Sequence, residues 1–160
     1  MKFFKLGIVS FGYLGLMPVA PGTFGTLGGV LIAWALAKND YFGLWVLGAA
    51  LLLYLVGRSL GDWAEEHAGE KDPGFFVIDE VVGYLVTVAW FEGPSLLALL
   101  CAFCAFRFFD IVKPPPIRRV ERIGGGDGIM LDDVVAGVFG LILVMLPARL
   151  LIDAPWSVTG

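Results

Sequence analysis

The stretch FFVIDEVVGYLV, residues 75–86, sets two adjacent carboxylates, Asp79 and Glu80, between four apolar residues and an apolar continuation. An ionised carboxylate near hydrocarbon is costly unless it is paired, bound to a metal or wetted by a cavity. Capping alone explains two neighbouring acids in such a segment poorly, whereas metal ligation or general-base work requires them. The pattern recurs along the chain. Asp110 closes the apolar run SLLALLCAFCAFRFFD (95–110), and Asp132 and Asp133 stand immediately before VVAGVFGLILVML (134–146). Carboxylates that return at the ends of apolar segments need a shared purpose, and the most economical one is to hold a divalent cation.

The rest of the chain is apolar enough to make those acids conspicuous. Hydrophobic residues make up 58% of the 160 residues and charged ones 16%, against roughly 25% charged in an ordinary soluble domain; the mean hydropathy is +0.84. That balance predicts a bilayer protein of one domain, residues 1–160. Five apolar segments, 23–38, 41–57, 75–91, 95–112 and 134–152, predict an all-α fold: a multi-pass helical membrane bundle of about five helices. They are short for a hydrocarbon core of ~30 Å at ~1.5 Å per residue, which leaves a compact, soluble or partly embedded bundle as the alternative. Uncharged runs such as LWVLGAALLLYLVG (44–57) favour the membrane, and 22 glycines favour close helix approach there. The net charge of −4 excludes a nucleic-acid partner, since nothing would neutralise a phosphate backbone. Cys101 and Cys104 share one helical face and read as packing, with no disulfide framework. The first residues, with Lys2, Lys5 and an apolar stretch, have the look of a secretory signal. Pro18 and Pro21 interrupt it, so we expect it to be retained along the membrane surface.

Basic residues in short loops orient the spans. Lys113, Arg118, Arg119 and Arg122 make the loop 113–133 cytoplasmic, and threading outward puts the loop 58–74 and the N-terminus with Lys2 and Lys5 on the same side. The loops at 39–40 and 92–94, with Asp40 and Glu92, then lie outside; Lys38 and Arg149 dissent. On this threading Pro21–Thr23, Arg58, Asp62, Asp79, Glu80, Arg107, Asp110, Lys113, Asp132 and Asp133 fall at the cytoplasmic ends of their segments, so the polar site is expected there.

In FRFFDIVKPPPIRR (106–119), Arg107 and Asp110 share a helical face, Lys113 follows one turn later, and three prolines stop the helix. Arg107 offers a planar fork for phosphate and Lys113 a point charge; the plainer reading is a helix-terminal ion pair. GGGDGIMLDDVVAGV (124–138) predicts a flexible approach and a final helix opened by Asp132 and Asp133. Capping and the helix dipole explain one of those two. An all-oxygen donor set suits Mg²⁺, which is usually held by a few carboxylates together with substrate phosphate. No Gly-Lys-Ser/Thr follows, so this is not a nucleotide-binding loop. In APGTFGTLGG (20–29) Thr23 is expected to cap the first span, and that turn is a candidate phosphate contact. His67, the only histidine, sits in a charged stretch read as a solvated loop, which removes histidine-based metal and phosphohydrolase schemes.

These motifs, in this order, resemble the phosphatidylglycerophosphatase A family: PGTFGTLGG at 21–29, FVIDEVVGYL at 76–85, FRFFDIVKPPPIRRVER at 106–122 and GIMLDDVVAG at 128–137. The resemblance implies a Mg²⁺-dependent phosphatase of the bacterial inner membrane that converts phosphatidylglycerophosphate to phosphatidylglycerol, with a membrane phospholipid as its substrate partner. It implies Asp79, Glu80, Asp110, Asp132 and Asp133 as metal ligands. Asp79, Glu80, Asp132 and Asp133 are the catalytic acids among them, and Thr23, Arg107 and Lys113 would bind substrate. Two positions depart from the family pattern. Asp127 stands where an apolar residue is common and is left out of the site, and Pro115 stands where an aromatic is common. Two rival readings remain: a small transporter or channel using the same acids as an ion path, and a soluble helical phosphatase acting on another phosphate ester. A transporter predicts charges at several depths and an internal repeat, and no repeat is found in the chain.

Overall fold

The computed structural model describes residues 2–90, 93–152 and 155–157, without the side chain of Glu121. Glu92, used above to orient one loop, lies outside the described residues. Those residues build helices and no strand, with a single antiparallel bridge between Pro94 and Ser157. In chain order the helices are α1 (Lys2–Val9), α2 (Pro21–Leu36), α3 (Phe42–Ala68), α4 (Ile78–Val88), α5 (Leu96–Val112), α6 (Pro115–Glu121), α7 (Gly125–Gly140) and α8 (Leu146–Leu151). A π-helical turn, Leu141–Met145, joins α7 to α8, so that Gly125–Leu151 runs as one long helix.

The expectation of about five spanning helices is corrected: among the described residues two helices, α3 and the run Gly125–Leu151, each of 27 residues, are long and apolar enough to cross a membrane. The apolar segment at 75–91 shrinks to the 11 residues of α4, about 16 Å of helix. Its hydrophobicity has another origin. Val81, Val82, Tyr84, Leu85 and Val88 are all buried, and α4 is wrapped by α2, α3, α5 and α7. A helix that is apolar all round because protein surrounds it has the same composition as one surrounded by lipid.

The chain punctuation explains the helix ends. Ser95 caps α5, its hydroxyl accepting from the Ala98 amide at 3.3 Å. At the other end Lys113 precedes Pro114, which disfavours helical backbone, and takes a left-handed φ of 43°. The predicted loop at 58–74 is largely helix: α3 continues through Arg58, Asp62 and His67 and stops at Gly69, whose φ is 74°. His67 stacks on Trp63 one turn earlier, with ring centroids 5.1 Å apart. The end of α3 and the start of α7 pair closely because Gly61 faces Gly126, where a Cβ on either would strike backbone. An ion pair between Arg58 Nε and Asp127 Oδ1, at 2.5 Å, ties the same two ends.

Gly124 leaves α7 without a capping side chain, and Asp62 of α3 supplies one, accepting from the Gly126 amide at 3.1 Å. Replacing a capping carboxylate typically costs about 1 kcal/mol. Asp62→Ala should therefore lower the melting temperature by roughly 2–4 °C, as thermal melts would show.

Large apolar side chains cover much of the exterior. Leu27, Leu31 and Trp34 form a stripe along α2, Trp45, Leu51, Leu52 and Leu55 another on α3, and Leu100, Phe108 and Ile111 a third on α5, all exposed. Of the two cysteines, Cys101 is partly buried against the core, whereas Cys104 is exposed rather than packed; both are free thiols.

Candidate active site

Four helices bring their polar residues to one cavity of about 400 Å³. The start of α2 contributes Pro21 and Gly22, the first turn of α4 contributes Asp79 and Glu80, the end of α5 contributes Arg107, Asp110 and Lys113, and α7 contributes Asp132 and Asp133. Asp72 and Gly74, from the connection before α4, complete it with Ala20, Phe76 and Ile111. Two helix N-termini, those of α2 and α4, therefore meet at the cavity, and the partial positive charge of a helix start suits an anion.

The acids divide into two sets. Asp79, Glu80 and Asp133 each place a carboxylate oxygen within 4.8 Å of the other two. Asp110 and Asp132 are held by cations instead. Arg107 Nη1 pairs closely with Asp110 Oδ2, and Lys113 Nζ donates to Asp132 Oδ2 at 2.7 Å. The second oxygen of Asp132 accepts from the Asp133 amide at 3.0 Å. Arg107 Nη1 also lies 3.9 Å from Glu80 Oε1, which places it between the two sets.

The triad is electrostatically unfavourable as an all-anionic group. Burial pushes the Asp79 carboxyl well above the ordinary range, and the charges on Glu80 and Asp133 push it further. Glu80 is raised to about 7, chiefly by burial, with Asp110 adding to the shift and Arg107 opposing it. Glu80 Oε2 is buried with no hydrogen-bond partner among the described residues. An orphaned carboxylate oxygen beside two further carboxylates is the donor set of a hard divalent cation, so these three residues fit Mg²⁺. The cradle is tight on its far side, because a Cβ at Gly22 would overlap Glu80 Oε1 and crowd Arg107.

Seven of the eight sequence-derived site residues thus line one cavity: Asp79, Glu80, Arg107, Asp110, Lys113, Asp132 and Asp133. Thr23 does not line it. The residue that caps α2 is Ala20, in a left-handed conformation (φ 49°), and Thr23 lies within the first turn, its own amide bonded to the Ala20 carbonyl. Pro in the first turn fixes this start, so Pro21 and Gly22 take the place expected of Thr23. The reading of Asp132 and Asp133 as helix openers is also corrected. Helix α7 starts at Gly125, which puts both two turns inside it, beyond the reach of capping. Asp127, left out on sequence grounds, pairs with Arg58 and accepts from the Tyr54 hydroxyl at 3.4 Å, outside the cavity. Sequence reasoning missed Asp72, and within the Pro21–Thr23 turn it singled out Thr23 where Pro21 and Gly22 line the cavity. The DPG turn at 72–74 was the available signal for Asp72, since Pro and Gly mark a fixed turn just upstream of Asp79.

Comparison with known proteins identifies the family. A phosphatidylglycerophosphatase A family profile matches residues 7–148. A Haemophilus influenzae protein named phosphatidylglycerophosphatase A is 39% identical over 137 residues, covering 85% of this chain and 83% of that protein. An Escherichia coli K12 protein of the same name is 35% identical, covering 81% and 74%. A Bacteroides thetaiotaomicron protein named "Putative phosphatidylinositol-3-phosphatase" is 37% identical, covering 81% and 84%. No solved structure matches the chain. With a family profile matched over residues 7–148, the chain belongs to the phosphatidylglycerophosphatase A family.

Proposed function

We propose that the protein is a Mg²⁺-dependent lipid phosphatase that hydrolyses the terminal phosphate monoester of phosphatidylglycerophosphate, releasing phosphatidylglycerol and phosphate. The observation that carries the reading is the juxtaposition, in one cavity, of a three-carboxylate group with an orphaned oxygen, two cationic side chains and two helix N-termini. Asp79, Glu80 and Asp133 hold Mg²⁺, which when bound offsets charge on the phosphate oxygens. Arg107 and Lys113 bind the remaining oxygens, and Asp110 and Asp132 keep those two cations aimed into the cavity rather than folded back to solvent. The start of α2 closes the site at Gly22 and brings the positive end of its dipole to the anion.

The membrane assignment rests on the exposed apolar stripes of α2, α3 and α5 and on the two long apolar helices. Such surfaces on a monomer mark contact with lipid or partners. We place the protein in the bacterial inner membrane with the cavity at the cytoplasmic headgroup level, a reading supported by the basic residues of α6 and its flanks. Clustering of the acids at one end of the bundle disfavours an ion path, which needs polar groups at several depths.

The test is phosphate release by detergent-purified protein from phosphatidylglycerophosphate, phosphatidic acid and phosphatidylinositol 3-phosphate, with Mg²⁺ and with a chelator. The third lipid is included because one relative carries that name. Chelation should abolish activity and Mg²⁺ restore it; chelator-resistant turnover, or none on any lipid, defeats the reading. The elevated Glu80 pKa gives the pH dependence. Protons compete with Mg²⁺ for that carboxylate, so Mg²⁺ affinity should weaken as pH falls through about 7. Stability of the metal-free protein runs the other way. A carboxyl raised on folding binds its proton more tightly in the native state, so stability declines as pH rises between the unfolded value of 4.5 and about 7. Calorimetric Mg²⁺ titrations and metal-free melts at pH 5.5 and 8 check the two slopes.

A further inference from the structure

A second cavity, about 250 Å³, lies against the first. Glu65, Lys71, Gly124, Gly128 and Ile129 line it alone, while Asp72 and Asp132 line both. The two spaces have opposite characters at their far ends. The first reaches Ala20, Pro21 and Ile111, the last of these 70% exposed and continuous with the apolar stripe of α5. The second reaches charged side chains and the glycines at the start of α7, Gly124 and Gly128. Given the phosphatase reading, on which this inference rests, a lipid enters from the apolar end with its phosphate at the carboxylates. Displacement at phosphorus is in line, so the attacking water must come from the side opposite the leaving alcohol. That side is the shared wall, and Asp132 there already has both oxygens engaged, by Lys113 and the Asp133 amide.

We propose that Asp72 is a catalytic residue that orients the attacking water and takes its proton, and that the second cavity is the water's inlet. In this step the water oxygen bonds to phosphorus and the ester P–O bond breaks. Its electron pair leaves with the alcohol oxygen, which takes a proton from solvent, and Asp72 returns the water's proton to solvent. Exposure of Asp72 on its other side permits that return. The turn also fixes its aim. Asp72 sits at φ 46° ahead of Pro73, with its amide 3.4 Å from Glu65 Oε1 of α3.

Asp72→Asn isolates the chemistry, because Asn tolerates left-handed backbone as Asp does. On phosphatidylglycerophosphate in detergent micelles with saturating Mg²⁺, kcat should fall about 100-fold, with KM and the Mg²⁺ dissociation constant, measured by calorimetry with the metal alone, within threefold of wild type. Asp72→Gly, equally free at that φ, should lose kcat alike and regain at least fivefold in added formate, which supplies a carboxylate from solution. Three results would overturn the assignment: kcat within threefold of wild type, a Mg²⁺ affinity that falls along with kcat, or a Gly variant indifferent to formate. Inactivity of the wild-type protein on every lipid would instead defeat the phosphatase reading itself.

Discussion

Asp79→Asn and Asp133→Asn should each lower lipid phosphate release by about 1000-fold, and each should raise the melting temperature of the metal-free protein. The two effects share a cause. Asp79 and Asp133 are 5% and 3% exposed, and with Glu80 they crowd three carboxylate oxygens within 4.8 Å. Without a cation, the group is held together by the surrounding packing against its own repulsion. At an effective dielectric near 20, two such charges at this separation repel by a few kcal/mol as an upper bound, part of which is relieved by protonation. Converting one acid to an amide of the same shape removes the repulsion and leaves the packing, a gain of about 1–2 kcal/mol, or a few degrees in a melt. The same substitution deletes a hard oxygen donor and a unit of charge. Loss of the metal's electrostatic contribution at the transition state, about 4 kcal/mol, corresponds to the stated factor. Stabilisation by added Mg²⁺ should vanish with it, since only a bound ligand shifts the folding equilibrium. An Asn variant that retains both activity and the Mg²⁺-induced shift in melting would remove the triad from the mechanism.

Why the acids were legible and the spans were not follows from what each signal measures. Asp79 and Glu80 break an apolar run, and no requirement of local structure puts two acids there, so their place at a shared polar cavity could be expected from the sequence alone. Arg107 and Asp110 fall on one face of α5 by helical spacing, and Lys113 follows at its end, where the prolines stop the helix as expected. Hydropathy, in contrast, records burial without recording what does the burying. The interior helix α4 therefore read as a fifth span, although its neighbours are α2, α3, α5 and α7. Charge misled in the opposite sense at Arg58–Ala68, where a polar stretch read as loop. It is helix because Gly61 lets α7 approach and Asp62 caps it, a contact between residues 64 apart in sequence that no local window contains. The division of the five acids into a metal-type triad and two cation-holding partners is likewise tertiary. It depends on Lys113 of α5 reaching Asp132 of α7.

Gly83→Val should cost about 2–3 kcal/mol of stability and at least a further 100-fold in turnover of the molecules that remain folded. Gly83 lies one turn after Asp79 on α4, where a Cβ would stand 2.6 Å from the Asp133 carbonyl and inside contact distance of the Phe106 ring. Across the interface, a Cβ on Gly137 would meet the Gly83 carbonyl. The two helices thus touch backbone to backbone, and that contact sets the distance between Asp79 on one and Asp133 on the other. Neither neighbour can yield. The Asp133 carbonyl belongs to the helix itself, and Phe106 is fully buried. Overpacking of this kind forces backbone shifts worth typically 1–3 kcal/mol, a loss of about 5 °C or more in a melt. The helices would have to separate by something like 1 Å, and misplacement on that scale costs about 100-fold even when the reacting groups are intact. Gly48→Ala on the exposed face of α3, where a Cβ meets nothing within 4 Å, is the matched control. It should stabilise by about 0.5–1 kcal/mol through helix propensity, with kcat unchanged. Thermal melts and single-turnover assays on both variants separate the two readings of the glycines. If Gly83→Val melts and turns over like Gly48→Ala, the α4–α7 contact does not set the geometry of the acidic triad.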